Sequence, residues 1–115
     1  MNKKLIISIV LVIYLIILFI GAFAVKFEGE SSISGFDKLL HFFGFFILEI
    51  LLLLAFNYYK IKNKYWASFL IALSIGLFIE VVQLAIPGRE FSLLDWAADA
   101  GGIFLAMVLS WSFRS

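Results

Sequence analysis

Four apolar runs, each about as long as a bilayer is thick, leave this chain very few ways to fold. A hydrocarbon core about 30 Å deep is crossed by roughly 20 apolar residues in a helix. That template fits Leu5 to Val25, Leu39 to Tyr59, Tyr65 to Ile86 and Leu93 to Phe113. Of the 115 residues, 64% are hydrophobic and 15% charged, too few polar side chains to clothe a water-soluble domain of this size. The expected fold class is all-α: a single domain, 1–115, forming a polytopic bundle of four transmembrane helices with short loops. The connections carry the punctuation: Gly29, Gly35 and serines in the first, the basic "KIKNK" in the second, and Pro87 in the third.

The first run also resembles a secretory signal, because MNKK precedes it and Ala22-Phe23-Ala24 closes it. Its length exceeds the usual apolar region of roughly 7 to 15 residues, which favours a retained anchor. Orientation follows from the basic residues of the short loops. Lys3, Lys4, Lys60, Lys62, Lys64 and Arg114 fall on one side, Lys26, Lys38 and Arg89 on the other, and the richer side is expected to be cytoplasmic. The chain is thus expected in an inner or plasma membrane, multi-pass, with both termini inside. A net charge of +1 gives no nucleic-acid footprint, and the lack of cysteine excludes disulfides, thiol nucleophiles and sulfur-ligated metals.

Against this background the polar residues inside the runs stand out. Asp37 and His41 are four apart, as are Asp95 and Asp99, while Glu80 and Gln83 are three apart, so each pair shares a helix face. His41 lies about 6 Å inward of Asp37, Asp99 about 6 Å inward of Asp95, and Glu80 roughly 10 Å inward of Pro87. All three pairs reach one layer near the outer surface. An aspartate at a helix centre facing lipid costs about 2.5 to 3.5 kcal/mol, so three such faces are expected to turn toward one another. The resulting pocket would open outward, with Lys38 and Arg89 at its rim and Asp95 as the ionised partner of Arg89. Asp99, the inner aspartate, is expected to be uncharged. The first helix, with Ser8 and Tyr14 as its polar residues, is expected to supply only packing and to close the bundle.

Each residue also has a plainer reading. Asp37 suits a helix N-cap, as do Ser92 and Asp95, Lys38 can snorkel to the interface, and a lone histidine is commonly a hydrogen-bonded packing residue. Glu80 lies too deep for these alternatives. Glu49 stands near mid-bilayer, where bonding to Ser68, Ser74 or a backbone carbonyl, or a place in an oligomer contact, would account for it. Gly44, Gly101 and Gly102 would permit close approach of helices.

The ordered segments "DKLLHFFGFF", "EVVQLAIPGR" and "LLDWAADAGG" resemble the VanZ-like family of small bacterial membrane proteins. The Asp-Lys-x-x-His start is matched by Asp37, Lys38 and His41, and the Glu-x-x-Gln helix end by Glu80 and Gln83. The Pro-Gly-Arg turn is matched by Pro87, Gly88 and Arg89. The family's Asp-x-x-x-Asn-x-x-Gly segment is matched by Asp95 and Gly102, with Asp99 in the asparagine position. The resemblance implies a cell-envelope connection, with teicoplanin-type antibiotic resistance for the founding member, and no defined reaction.

Two functions compete. A binding or accessory module would use the pocket to hold an anionic lipid or lipid-linked envelope precursor, which arginine's planar fork suits. An intramembrane enzyme would use Glu80, Asp95 or His41 as acid or base on a lipid-linked substrate, although no motif specifies the reaction. A metal site has one histidine and no cysteine behind it, so oxygen-rich coordination by magnesium or manganese is the weakest of three readings. The expectation is therefore no metal and no cofactor, with the bilayer, an anionic lipid and a second copy of the chain as partners, and no nucleic acid.

Overall fold

The computed structural model of the chain describes residues 2–24, 36–85 and 93–113, apart from the side chains of Phe23, Ala24, Phe36, Asp37 and Phe113. These residues form α1 (Lys3–Ala24), α2 (Phe36–Tyr58), α3 (Lys64–Gln83) and α4 (Leu93–Phe113), with no strand among the described residues. All four helices are long and apolar enough to cross a membrane.

The boundaries depart from the hydropathy limits for local reasons. α2 begins before its apolar run, because a helix can carry Asp37 and Lys38 through the interface without a break. α3 stops at Gln83 rather than Ile86. Its end tightens through bonds from Leu84 N–H to Val81 O (3.1 Å) and Ala85 N–H to Val82 O (2.9 Å), short of Pro87, whose ring disfavours helix in the residue before it. α2 ends in a Schellman motif. Ile61 N–H bonds to Phe56 O (2.9 Å) and Lys60 N–H to Asn57 O (3.1 Å), with Lys60 left-handed at φ 56° where glycine is usual.

α2 is the centre of the bundle, and its contact with α4 is the most extensive. Gly102 explains why: a Cβ there would run into the Phe42 carbonyl oxygen, so the two backbones meet only because α4 has no side chain at that point. Gly101 lies against the Phe42 ring, whereas Gly44 faces Tyr14 and Leu18 of α1 at ordinary packing distances. The buried core is Phe45, Leu48 and Leu52 of α2, Ala72 and Ile79 of α3, and Ile103 of α4.

α1 departs from expectation. It touches α2 and α3 but does not approach α4 among the described residues, so it flanks the bundle rather than closing it. The two polar side chains within its apolar run also do more than fill space. The Tyr14 hydroxyl donates to the Gly44 carbonyl, and Ser8 Oγ shares a 2.8 Å hydrogen bond with the Tyr59 hydroxyl. In an apolar medium such bonds are among the few forces that select one helix partner over lipid. Ile16, Ile17, Ile20, Phe43, Phe78 and Phe104 are exposed, as side chains facing acyl chains would be.

Lys4 Nζ lies 5.4 Å from the centre of the Tyr59 ring, and the Tyr65 and Trp111 rings are 5.5 Å apart. The start of α1 and the end of α4 therefore lie at the same end of the bundle as the α2–α3 turn. The polar residues of the first turns of α2 and α4 gather at the other end.

Candidate functional site

Helical phase delivers the site. Lys38 and His41, three apart on α2, share a face, as do Asp95 and Asp99, four apart on α4. The glycine contact at Gly102 presses these faces together. His41 Nδ1 and Asp99 Oδ1 are 2.8 Å apart and share a hydrogen bond, in which Nδ1–H is the donor when Asp99 is ionised and the Asp99 hydroxyl can be the donor when it is not. On the other edge of the ring, Nε2 lies 3.5 Å from Asp95 Oδ2. The second Asp95 oxygen, Oδ1, is 2.9 Å from Lys38 Nζ. The ends of this chain of contacts differ in exposure: the side chain of Asp99 is 1% exposed and that of Lys38 36%, with His41 and Asp95 between them at 19% and 14%.

α3 contributes Glu80, which is completely buried. One ligating atom each of His41, Glu80 and Asp95 lies within 4.8 Å of the others, so a third helix enters the same cluster. Gly76, one turn earlier on the Glu80 face of α3, makes the room. A Cβ there would sit 2.8 Å from Asp99 Oδ2 and 3.3 Å from Trp96 Cδ1. Trp96 in turn donates from Nε1 to the Leu73 carbonyl at 3.2 Å, tying α4 to α3 beside the cluster. Gly76 and Trp96 were not singled out from the sequence. Gly76 had a signal, since glycine one turn from an intramembrane acid marks a face that something must approach.

Of the expected pocket residues, Lys38, His41, Glu80, Asp95 and Asp99 come together. Gln83 does not point its amide at them: Nε2 donates to the Ala22 carbonyl at 2.7 Å, satisfying one of the acceptors that the last turn of α1 leaves open. Arg89 and the Asp37 side chain lie outside the described residues, and with them the expected Asp95–Arg89 pair; among the described residues Asp95 lies against Lys38 and His41.

Glu49 belongs to a different place. It lies two turns beyond His41, about 12 Å along α2, and accepts a 2.7 Å hydrogen bond from Ser68 Oγ, one of the partners its position suggested. Both residues are fully buried within one chain, so Glu49 is not at an oligomer contact.

Four helices of membrane-crossing length, three of which send ionisable side chains into one buried cluster, define a multi-pass helical membrane protein with a polar centre. The chain belongs to the VanZ/LLP1 family, whose family model matches residues 5–114, nearly the whole chain. No curated protein and no solved structure matches it.

Proposed function

We propose that this protein binds the anionic head group of an amphiphile of the bacterial cell envelope, a phospholipid or a lipid-linked phosphate, at the mouth of the Lys38–His41–Asp95–Asp99 cluster. The observation that supports this reading is a connected set of contacts that joins a sealed carboxylate, Asp99, to a partly exposed ammonium, Lys38. A cluster serving helix association alone has no need of an open end. Lys38 stands where a head group moving along the interface arrives. Arg89, on the connection between α3 and α4, adds a cation whose planar fork pairs with phosphate or carboxylate. By the excess of lysine near the opposite end, this mouth faces outward and both termini are cytoplasmic, in an inner or plasma membrane. Occupancy of an outward head-group site would alter how a teicoplanin-type glycopeptide meets the cell surface.

The test is binding of a fluorescent polyprenyl phosphate to the purified chain in neutral detergent. The parent should bind at least about tenfold more tightly than Lys38→Ala or Arg89→Ala, a difference of about 1.4 kcal/mol. Equal binding by all three, or no saturable binding, contradicts the reading.

One observation favours a second reading. His41 is held at Nδ1 by buried Asp99 with Nε2 facing Asp95 Oδ2 at 3.5 Å, an arrangement that orients an imidazole for proton transfer. An intramembrane acid–base enzyme would then alter the bound amphiphile, and His41→Gln would retain binding while losing conversion. A probe left chemically unchanged by the parent chain argues for binding alone.

A further inference from the structure

We propose that the end of the bundle opposite the Lys38–His41–Asp95–Asp99 cluster is a docking surface for the anionic phospholipids of its own leaflet, built on the α2–α3 turn and the start of α1. Charge is divided between the two ends of the molecule. The stretches that meet at this end, 3–10, 50–70 and 105–113, hold Lys3, Lys4, Lys60, Lys62 and Lys64 and contain no aspartate or glutamate. The side chains of Lys3, Lys60 and Lys62 form no ion pair or hydrogen bond among the described residues. Positive charge near a span directs insertion. Once the chain is inserted, the same lysines stand beside the phosphates of the leaflet, with no acid of their own nearby to neutralise them.

The fold holds part of that charge in place. Lys64 Nζ donates to Asn57 Oδ1 at 2.9 Å and lies 5.5 Å from the centre of the Tyr65 ring, while Lys4 Nζ lies 5.4 Å from that of Tyr59. Asn57 and the two rings are uncharged, so they position the ammonium groups without neutralising them. A cation already held loses less side-chain freedom when it meets an anion. Lys60 and Lys62 are exposed on the turn, on either side of Ile61, which is also exposed. An apolar side chain flanked by cations suits the boundary between head groups and acyl chains, where the hydrocarbon enters the apolar layer and the ammonium groups stay with the phosphates. Tyr59 and Trp66 are exposed beside them, as aromatic side chains at head-group level are. Such a surface is shared among many head groups and filled by the bulk lipid of its leaflet, so a trace amphiphile is not concentrated there.

Trp66 and Trp111 are 68% and 58% exposed at this end, so the tryptophan fluorescence of the full-length chain reports on the lipid around it. The chain is reconstituted into phosphatidylcholine bilayers that contain brominated phosphatidylglycerol or, at the same mole fraction, brominated phosphatidylcholine. With insertion complete, any preference reflects lipid binding alone. Brominated phosphatidylglycerol should quench with an apparent association about threefold higher at low salt. The difference should vanish at about 1 M salt, where the Debye length is about 3 Å. Replacing both turn lysines, Lys60→Gln with Lys62→Gln, should remove at least about half of the preference, and Lys60→Arg with Lys62→Arg should keep it. If the glutamine variant does not fold, the salt dependence of the parent decides. Equal quenching by the two lipids in the parent overturns the docking surface. So does a preference that survives high salt, one undiminished in the glutamine variant, or one lost in the arginine variant; the lysines would then serve insertion only.

Discussion

Two buried glutamates on neighbouring helices show how differently a membrane protein can use the same side chain. Glu49 and Glu80 are both fully buried in membrane-spanning helices. Glu49 meets Ser68 across a single helix pair, and the contact is closed on all sides. Glu80 sits in a cluster fed by three helices that continues through His41 and Asp95 to a partly exposed Lys38. A closed polar pair can fix the rotation of two helices, and its work is then done. A cluster with an open end gives a ligand somewhere to enter. Burial does not tell the two acids apart; continuity with the surface does.

The comparison breaks most severely where the backbones of α2 and α4 meet. Gly102→Ala places a methyl group against the Phe42 carbonyl, and should cost about 3 kcal/mol or more because rigid backbone, rather than a side chain, must yield. Folded yield and thermal melting in detergent are the readouts. The loss should fall on the Lys38–His41–Asp95–Asp99 contacts between α2 and α4, and spare the Glu49–Ser68 pair between α2 and α3. His41→Ala should come next, at about 2 to 3 kcal/mol, since it removes the hydrogen-bond partner of the buried Asp99 carboxylate. It should abolish probe binding as well.

Glu49→Ala should cost about 1 to 2 kcal/mol through the lost bond and the space left behind. Ser68 Oγ lies 3.2 Å from the Tyr65 carbonyl, a second acceptor that keeps it from being stranded. Probe binding should be unchanged in this variant, and a loss there would erase the distinction between the two glutamates. Asp99→Asn should be mildest, below about 1 kcal/mol, because the amide oxygen can still accept from His41 Nδ1. A larger loss of folded yield would mean that the charge of Asp99, rather than its acceptor, holds the histidine.

The helices were legible because hydrophobic length is a direct physical requirement of the bilayer. The meeting of Lys38, His41, Glu80, Asp95 and Asp99 was legible because helical spacing tells which residues share a face, and lipid penalises acids that do not turn inward. What the spacing withholds is the rotation of one helix against its neighbour. Gln83 shares a helical face with Glu80, yet its amide serves Ala22 of α1. Lys38 was expected at the rim of the pocket, but not its partner: α4 approaches so closely at Gly102 that Asp95 lies within 2.9 Å of it. The flanking position of α1 was likewise hidden, since its near-uniform apolar surface looks the same toward lipid as toward protein.

The central claim, that the amphiphile's head group occupies the outer cluster and not the sealed pair, is tested most directly by photolabelling. A polyprenyl phosphate carrying a photoreactive group next to the phosphate would be crosslinked to the chain in bilayers and the adducts mapped by peptide mass spectrometry. Adducts should concentrate on the first turns of α2 and α4, around Lys38, His41 and Asp95, and should be competed away by unlabelled phosphate amphiphile. Labelling centred on the α2–α3 turn at Lys60 to Lys64, or spread evenly along the lipid-facing surfaces without competition, would contradict the account.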